Sequence, residues 1–88
     1  MAKYTIIFND GAIYKDGVCY DGLDLSWLPS DVLAVQSPDG ASCTLEKGDR
    51  STEERTATEK NVATSSLSWW SNVDSTWQTA YDLAHPSE

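Results

Sequence analysis

The side chains best suited to nucleophilic or metal chemistry are one histidine, His85, and two cysteines, Cys19 and Cys43. A Ser or Cys nucleophile needs a base within hydrogen-bond reach. His85 stands beside Pro86 near the end of the chain, where a helix-terminal position favoured by the helix dipole accounts for it. Zinc takes about four nitrogen or sulfur ligands at close spacing, and two separated cysteines with one distant histidine do not supply them. Asp16, Asp21 and Asp24 are candidate calcium ligands, but calcium takes about six or more oxygens. Their spacing is not that of an EF-hand loop, and Asp16 and Asp21 each precede a glycine, which is a turn role. There is no Gly-rich phosphate loop, and 88 residues leave little room for a sugar cleft between paired carboxylates. The expectation is a protein that is not an enzyme, with no cofactor and no bound metal.

The constellation that remains is aromatic. Trp69, Trp70, Val73, Trp77 and Tyr81 follow the three- and four-residue steps of a helix face. Tryptophan is costly to expose and enriched at interface hot spots. Trp69 and Trp70 would lie about 100° apart around a helix, so both cannot face the centre of one small sheet. These five residues are therefore the expected partner-binding set. Part of the stripe covers the protein's own sheet, and at least one of the three tryptophans meets another chain.

The net charge is −8, from 14 acidic and 6 basic residues. The excess is evenly spread, with no acidic tail and no basic patch. Direct nucleic-acid binding needs clustered Lys and Arg against the phosphates, so no nucleic-acid partner is expected. An acidic surface mostly serves solubility; its rarer use is to mimic nucleic acid or to bind a basic protein. The opening MAKYTIIF carries an apolar run too short for a signal-peptide core or a membrane span. No leader and no membrane partner are expected, and the place of action is a cytoplasm or a particle assembled in one.

The elements that must position these residues are legible from turn chemistry. Asp10-Gly11, Asp16-Gly17, Asp21-Gly22 and Asp39-Gly40 punctuate short runs rich in β-branched and aromatic residues. Strands are predicted at Tyr4–Phe8, Ala12–Tyr14, Val18–Tyr20, Val32–Gln36 and Ser42–Glu46. Tyr14 and Tyr20 flank the second turn, where they pair across it or cover one face. Gly22–Pro29 lacks β-branching and reads as a connecting loop with a helical turn, in which Trp27 and Leu28 plug the sheet. The two cysteines fall on strands, as buried small side chains or, if the strands are neighbours, as a disulfide.

The rest of the chain reads differently. Residues 49–58 are polar, a linker or the exposed start of a helix, with Ser51 and Glu54 matching a capping box. Residues 59–88 read as an amphipathic, Trp-rich helical tail, either one bent helix or two, the second capped near Asp74 or Ser75. The expected fold is α+β: residues 1–48 form a small antiparallel β-meander of about five short strands, followed by a C-terminal helical segment, all in one compact domain.

The order of features from Thr5 to Ser42, TIIFNDGAIYKDGVCYDGLDLSWLPSDVLAVQSPDGAS, with Glu46 just beyond, resembles small bacteriophage proteins encoded in the tail-fibre gene region. These open with a strand, then DG, a Tyr-containing strand, DG, a second such strand, GLDLS, a proline, and a strand with Ala and Gln. The second half shares only the general plan of a helical tail. The resemblance implies a non-catalytic tail-region protein that binds a tail fibre or baseplate protein as an assembly chaperone or accessory factor. Such a protein would act in the host cytoplasm during phage assembly. Two alternatives stay open: an integral structural subunit of the virion tail, and an acidic inhibitor or DNA mimic acting on a host protein. A homo-oligomer is compatible with any of them.

Overall fold

Asp16 (φ 50°) and Gly17 (φ 85°) are both left-handed. That is the two-residue hairpin turn whose twist matches its flanking strands, and only glycine adopts such angles without steric cost. It joins β2 (Ala12–Lys15) to β3 (Val18–Tyr20). The computed structural model describes residues 3–85. The remaining elements are β1 (Tyr4–Ile7), β4 (Val32–Ser37), β5 (Ser42–Asp49), β6 (Glu54–Ala63), a 3-10 turn at Thr64–Ser66 and one helix, α1 (Trp70–Ala84). The fold is α+β, a six-stranded antiparallel sheet followed by a single C-terminal helix.

The sheet order is β3-β2-β1-β4-β5-β6. It differs from a simple meander. β1 is central, with Thr5 opposite Tyr14 of β2 on one side and Gln36 of β4 on the other. Two local three-stranded units therefore meet at the β1–β4 seam. The segment 21–31 carries the chain from the edge strand β3 back to β4 across the sheet. Along the way the Leu23 N–H donates to the Gly11 carbonyl at 2.9 Å. Arg50 fixes the end of the crossover, donating to the Pro29 and Val32 carbonyls at 2.6 and 3.0 Å with its guanidinium over the Phe8 ring.

Alternation along the strands builds the core. Tyr4 and Ile6 of β1, Ile13 of β2, Val35 of β4, and Cys43 and Leu45 of β5 are buried together. Leu25 and Leu28 of the crossover and Trp69, Val73 and Trp77 complete it. Trp27 stacks on Trp69 with centroids 5.8 Å apart. The opposite sheet face carries the row Tyr14, Thr5, Gln36 and Thr44, half-buried or exposed.

Three local expectations are corrected. Residues 54–63, expected as the end of a linker and the start of a helix, form the ten-residue strand β6 against β5. The Ser51–Glu54 capping box is absent; the Ser51 N–H and hydroxyl both donate to Asp49 Oδ1 in the β5–β6 turn. Every residue from Glu54 to Asn61 is exposed, and Val62 alone of the strand packs against the core, so burial contributes at one end only. The open edge of β5 supplies its partner, and the ion pairs Lys47–Glu59 (2.6 Å) and Arg55–Glu46 reinforce it. The helix begins only at Trp70 and is continuous, with no second start at Asp74 or Ser75.

The second correction concerns Tyr14 and Tyr20. The register pairs Tyr14 with Cys19 and Ile13 with Tyr20, so the two tyrosines lie on opposite faces. The third concerns the cysteines. Both are free; Cys43 is buried in the core, where burial pushes its thiol pKa up, but Cys19 is exposed.

A candidate protein-docking surface at the end of the helix

Helix α1 is held to the sheet by polar bonds around an apolar stripe. Its inward face repeats at Val73 and Trp77, one helical turn after the buried Trp69. The Trp77 indole N–H donates to the Val18 carbonyl at 3.0 Å. On β1 and β2, the Tyr4 hydroxyl (3.0 Å) and the Lys15 ammonium (2.6 Å) converge on Asp74 Oδ1. The Lys15 bond holds the Asp74 carboxyl below its usual range and raises the Lys15 pKa. Burial together with the Asp74 bond raises that of the Tyr4 phenol. The Lys15 ammonium also lies 4.9 Å from the Trp77 ring centroid, a favourable cation–π placement.

This anchoring divides the five residues expected to bind a partner. Trp69, Val73 and Trp77 are buried within the protein's own core and offer little surface to a partner. The front hairpin and the crossover take them up: Trp77 lies against Val18, Tyr20 and Lys15 of β2 and β3, and Trp69 stacks on Trp27. Trp70 is half-buried, edge-on to Tyr4 at 5.6 Å. Tyr81 alone of the five is exposed. It continues a stack from Trp77 through Tyr81 to His85, with centroids 5.3 and 4.2 Å apart, and the Tyr20 ring meets Tyr81 edge-on. His85 closes the helix: its backbone N–H donates to the Tyr81 carbonyl at 2.8 Å.

Sequence reasoning missed Leu83, which is 79% exposed. The signal was available. Leu83 is six positions beyond Trp77, a rotation of about 240°, so it cannot share the inward face. It forms one wall of a groove of about 400 Å³ between the helix and the crossover loop. Leu23 and Trp27 line the loop side; Thr76, Thr79 and Ala80 line the helix side. Trp27 brings a buried indole N–H with no acceptor among the described residues. Asp24 stands at the rim, its carboxylate accepting the Ser26 N–H at 3.0 Å, and the hydrogen bonding to Ser26 holds its pKa down.

Two of the turn aspartates are engaged by backbone N–H groups. Asp16 accepts the Lys3 N–H, and Asp39 accepts the Ala41 and Ser42 N–H groups, which keeps the Asp39 carboxyl acidic. Among the described residues no three metal-ligating side chains gather, and no helix is long and apolar enough to cross a membrane. The end of α1 and the crossover loop together present an apolar groove with an acidic rim. Compared with known proteins, the chain matches no family model, no curated protein and no solved structure.

Proposed function

We propose that this chain is a non-catalytic bacteriophage tail-region protein that docks on a tail fibre or baseplate protein as an assembly chaperone or accessory factor. The tail-region assignment rests on the ordered features from Thr5 to Ser42. The docking role rests on one observation: Leu83, 79% exposed, shares a helix face with Thr76, Thr79 and Ala80 and walls an apolar groove together with Leu23 and Trp27 of the crossover. Exposed apolar surface gathered in one place marks an interaction site more often than scattered residues do. The anchor is accordingly Leu83, with Leu23 and Trp27 facing it across the groove and Trp69 and Trp77 as the buried support that holds the helix in place. Tyr81, about 200° round the helix from Leu83, stacks with Trp77 and His85 instead.

Co-expression with the neighbouring tail-fibre gene, followed by size-exclusion chromatography, tests this reading. Co-elution and a more soluble fibre are expected, and both are lost in a Leu83→Ser variant that keeps its fold. A fibre that behaves identically with and without this chain overturns the reading. Peptides of this chain at fixed stoichiometry in purified particles would replace the chaperone role with that of a virion subunit.

A further inference from the structure

We propose that the groove between the crossover loop and α1 receives a protein segment presenting an aliphatic or aromatic side chain flanked by lysine or arginine. This deepens the docking reading above and rests on it. The groove has an apolar lining in Leu23, Trp27, Ala80 and Leu83. Its two walls are drawn from stretches with no basic residue: segment 21–31 holds Asp21, Asp24 and Asp31, and α1 holds Asp74 and Asp82.

The ion pairs sort these five carboxylates. Asp74 is occupied by Lys15, and Asp31 lies 3.9 Å from Lys47. Asp21, Asp24 and Asp82 form no ion pair among the described residues. Asp24 lines the groove itself, and Asp21 precedes the lining residue Gly22. An incoming basic residue therefore meets uncompensated negative charge at the rim, while an acidic one is repelled by it and by the net charge of −8. The apolar lining asks the occupant for a side chain to bury, and the rim asks for positive charge beside it. That combination selects against acidic apolar segments and against purely basic ones.

The test uses three synthetic helical peptides of equal length as probes, titrated into the intact chain with amide NMR as readout. One has a leucine face and lysines, one a leucine face and glutamates, and one lysines with serines in place of leucine. The leucine–lysine peptide should bind saturably, with shifts centred on Leu23, Ala80 and Leu83. Its affinity should fall about tenfold in Leu83→Ser, a loss typical of a removed anchor contact. It should also weaken severalfold between about 0.05 and 0.3 M salt as the rim charges are screened. Equal binding of the leucine–glutamate peptide, or lysine–serine binding as tight as leucine–lysine, overturns the proposal, as does no binding of any peptide. The co-elution experiment separates the two readings. Fibre capture without peptide binding defeats this partner chemistry alone, whereas peptide binding at the groove without fibre capture upholds it and defeats the fibre reading.

Discussion

Trp77 donates its indole N–H to the carbonyl of Val18, 59 residues earlier in the chain, at 3.0 Å. This one bond ties α1 to the edge strand β3. Ring burial and hydrogen bond are separable by substitution. Trp77→Phe keeps an aromatic ring against Tyr20 and Lys15 but leaves the Val18 carbonyl without this donor; it should destabilise by about 1 kcal/mol beyond the loss of ring area. Trp77→Ala empties a buried site and should cost about 3–5 kcal/mol. Urea unfolding of both variants checks this order. Full stability in Trp77→Ala would mean that the helix does not depend on this side chain.

Gly48 and Gly17 should fail for different reasons when a side chain is added. A Cβ on Gly48 would run into the Glu54 carbonyl oxygen across the β5–β6 hairpin, where the register shifts between Lys47 and Gly48. A Cβ on Gly17 meets nothing within 4 Å, and only its φ of 85° resists. Gly17→Ala should cost about 1–2 kcal/mol, the ordinary penalty of the left-handed region. Gly48→Ala should cost more and should also loosen β6, because backbone has to move. Thermal melts rank the two, and amide exchange at Arg55 and Glu54 shows whether the hairpin opens.

Acid should loosen the helix through Asp74. Its carboxyl is more acidic folded than unfolded, chiefly because of the Lys15 bond. The stabilisation is therefore present above the unfolded aspartate value of about 3.9 and is lost as pH falls through the lower folded value. With Asp74 half-exposed, solvent screening limits the contribution to less than about 1 kcal/mol. Asp74→Asn should remove this acid step while leaving the neutral-pH fold intact. Tryptophan fluorescence of both forms across the acid range provides the measurement. An unchanged acid limb in the variant would assign the step to other carboxylates.

Strand β6 should be the first element to open. Its residues from Glu54 to Asn61 are exposed on both faces, so backbone pairing and two ion pairs hold them without burial. Local opening costs least where few apolar contacts are broken. Amide exchange should be fastest in β6 and slowest in β1 and β4, and added salt should speed β6 selectively. Uniform protection across the sheet would contradict this.

The same strand marks where the sequence stops being legible. The Asp-Gly turns announce the front hairpins because glycine at positive φ has a local cause, seen at Gly17. The helix stripe announces itself because Trp69, Val73 and Trp77 repeat at helical spacing. β6 has no such mark: Arg55, Thr56, Thr58 and Lys60 look outward whichever way the strand turns, so neither a two-residue nor a helical period appears. Its cause is the free edge of β5, a non-local fact. The inward turn of Trp69 and Trp77 is non-local too, since their partners Trp27, Val18 and Tyr20 lie far earlier in the chain. Leu83 shows the reverse case, legible from its angle to Trp77 alone.

The crossover that places β1 beside β4 also bears on kinetics. Within each trio, β1-β2-β3 and β4-β5-β6, every pairing joins strands adjacent in sequence, so each can zip by short loop closures. The β1–β4 seam instead pairs Tyr4 with Ser37 and Ile7 with Ala34, and its closure must wait for the intervening chain to be arranged. Long-range pairing of this kind slows folding relative to local hairpins. The seam should therefore be the slowest closure, and substitutions along Thr5 and Gln36 should change the folding rate more than the unfolding rate, whereas those in β6 should do the opposite.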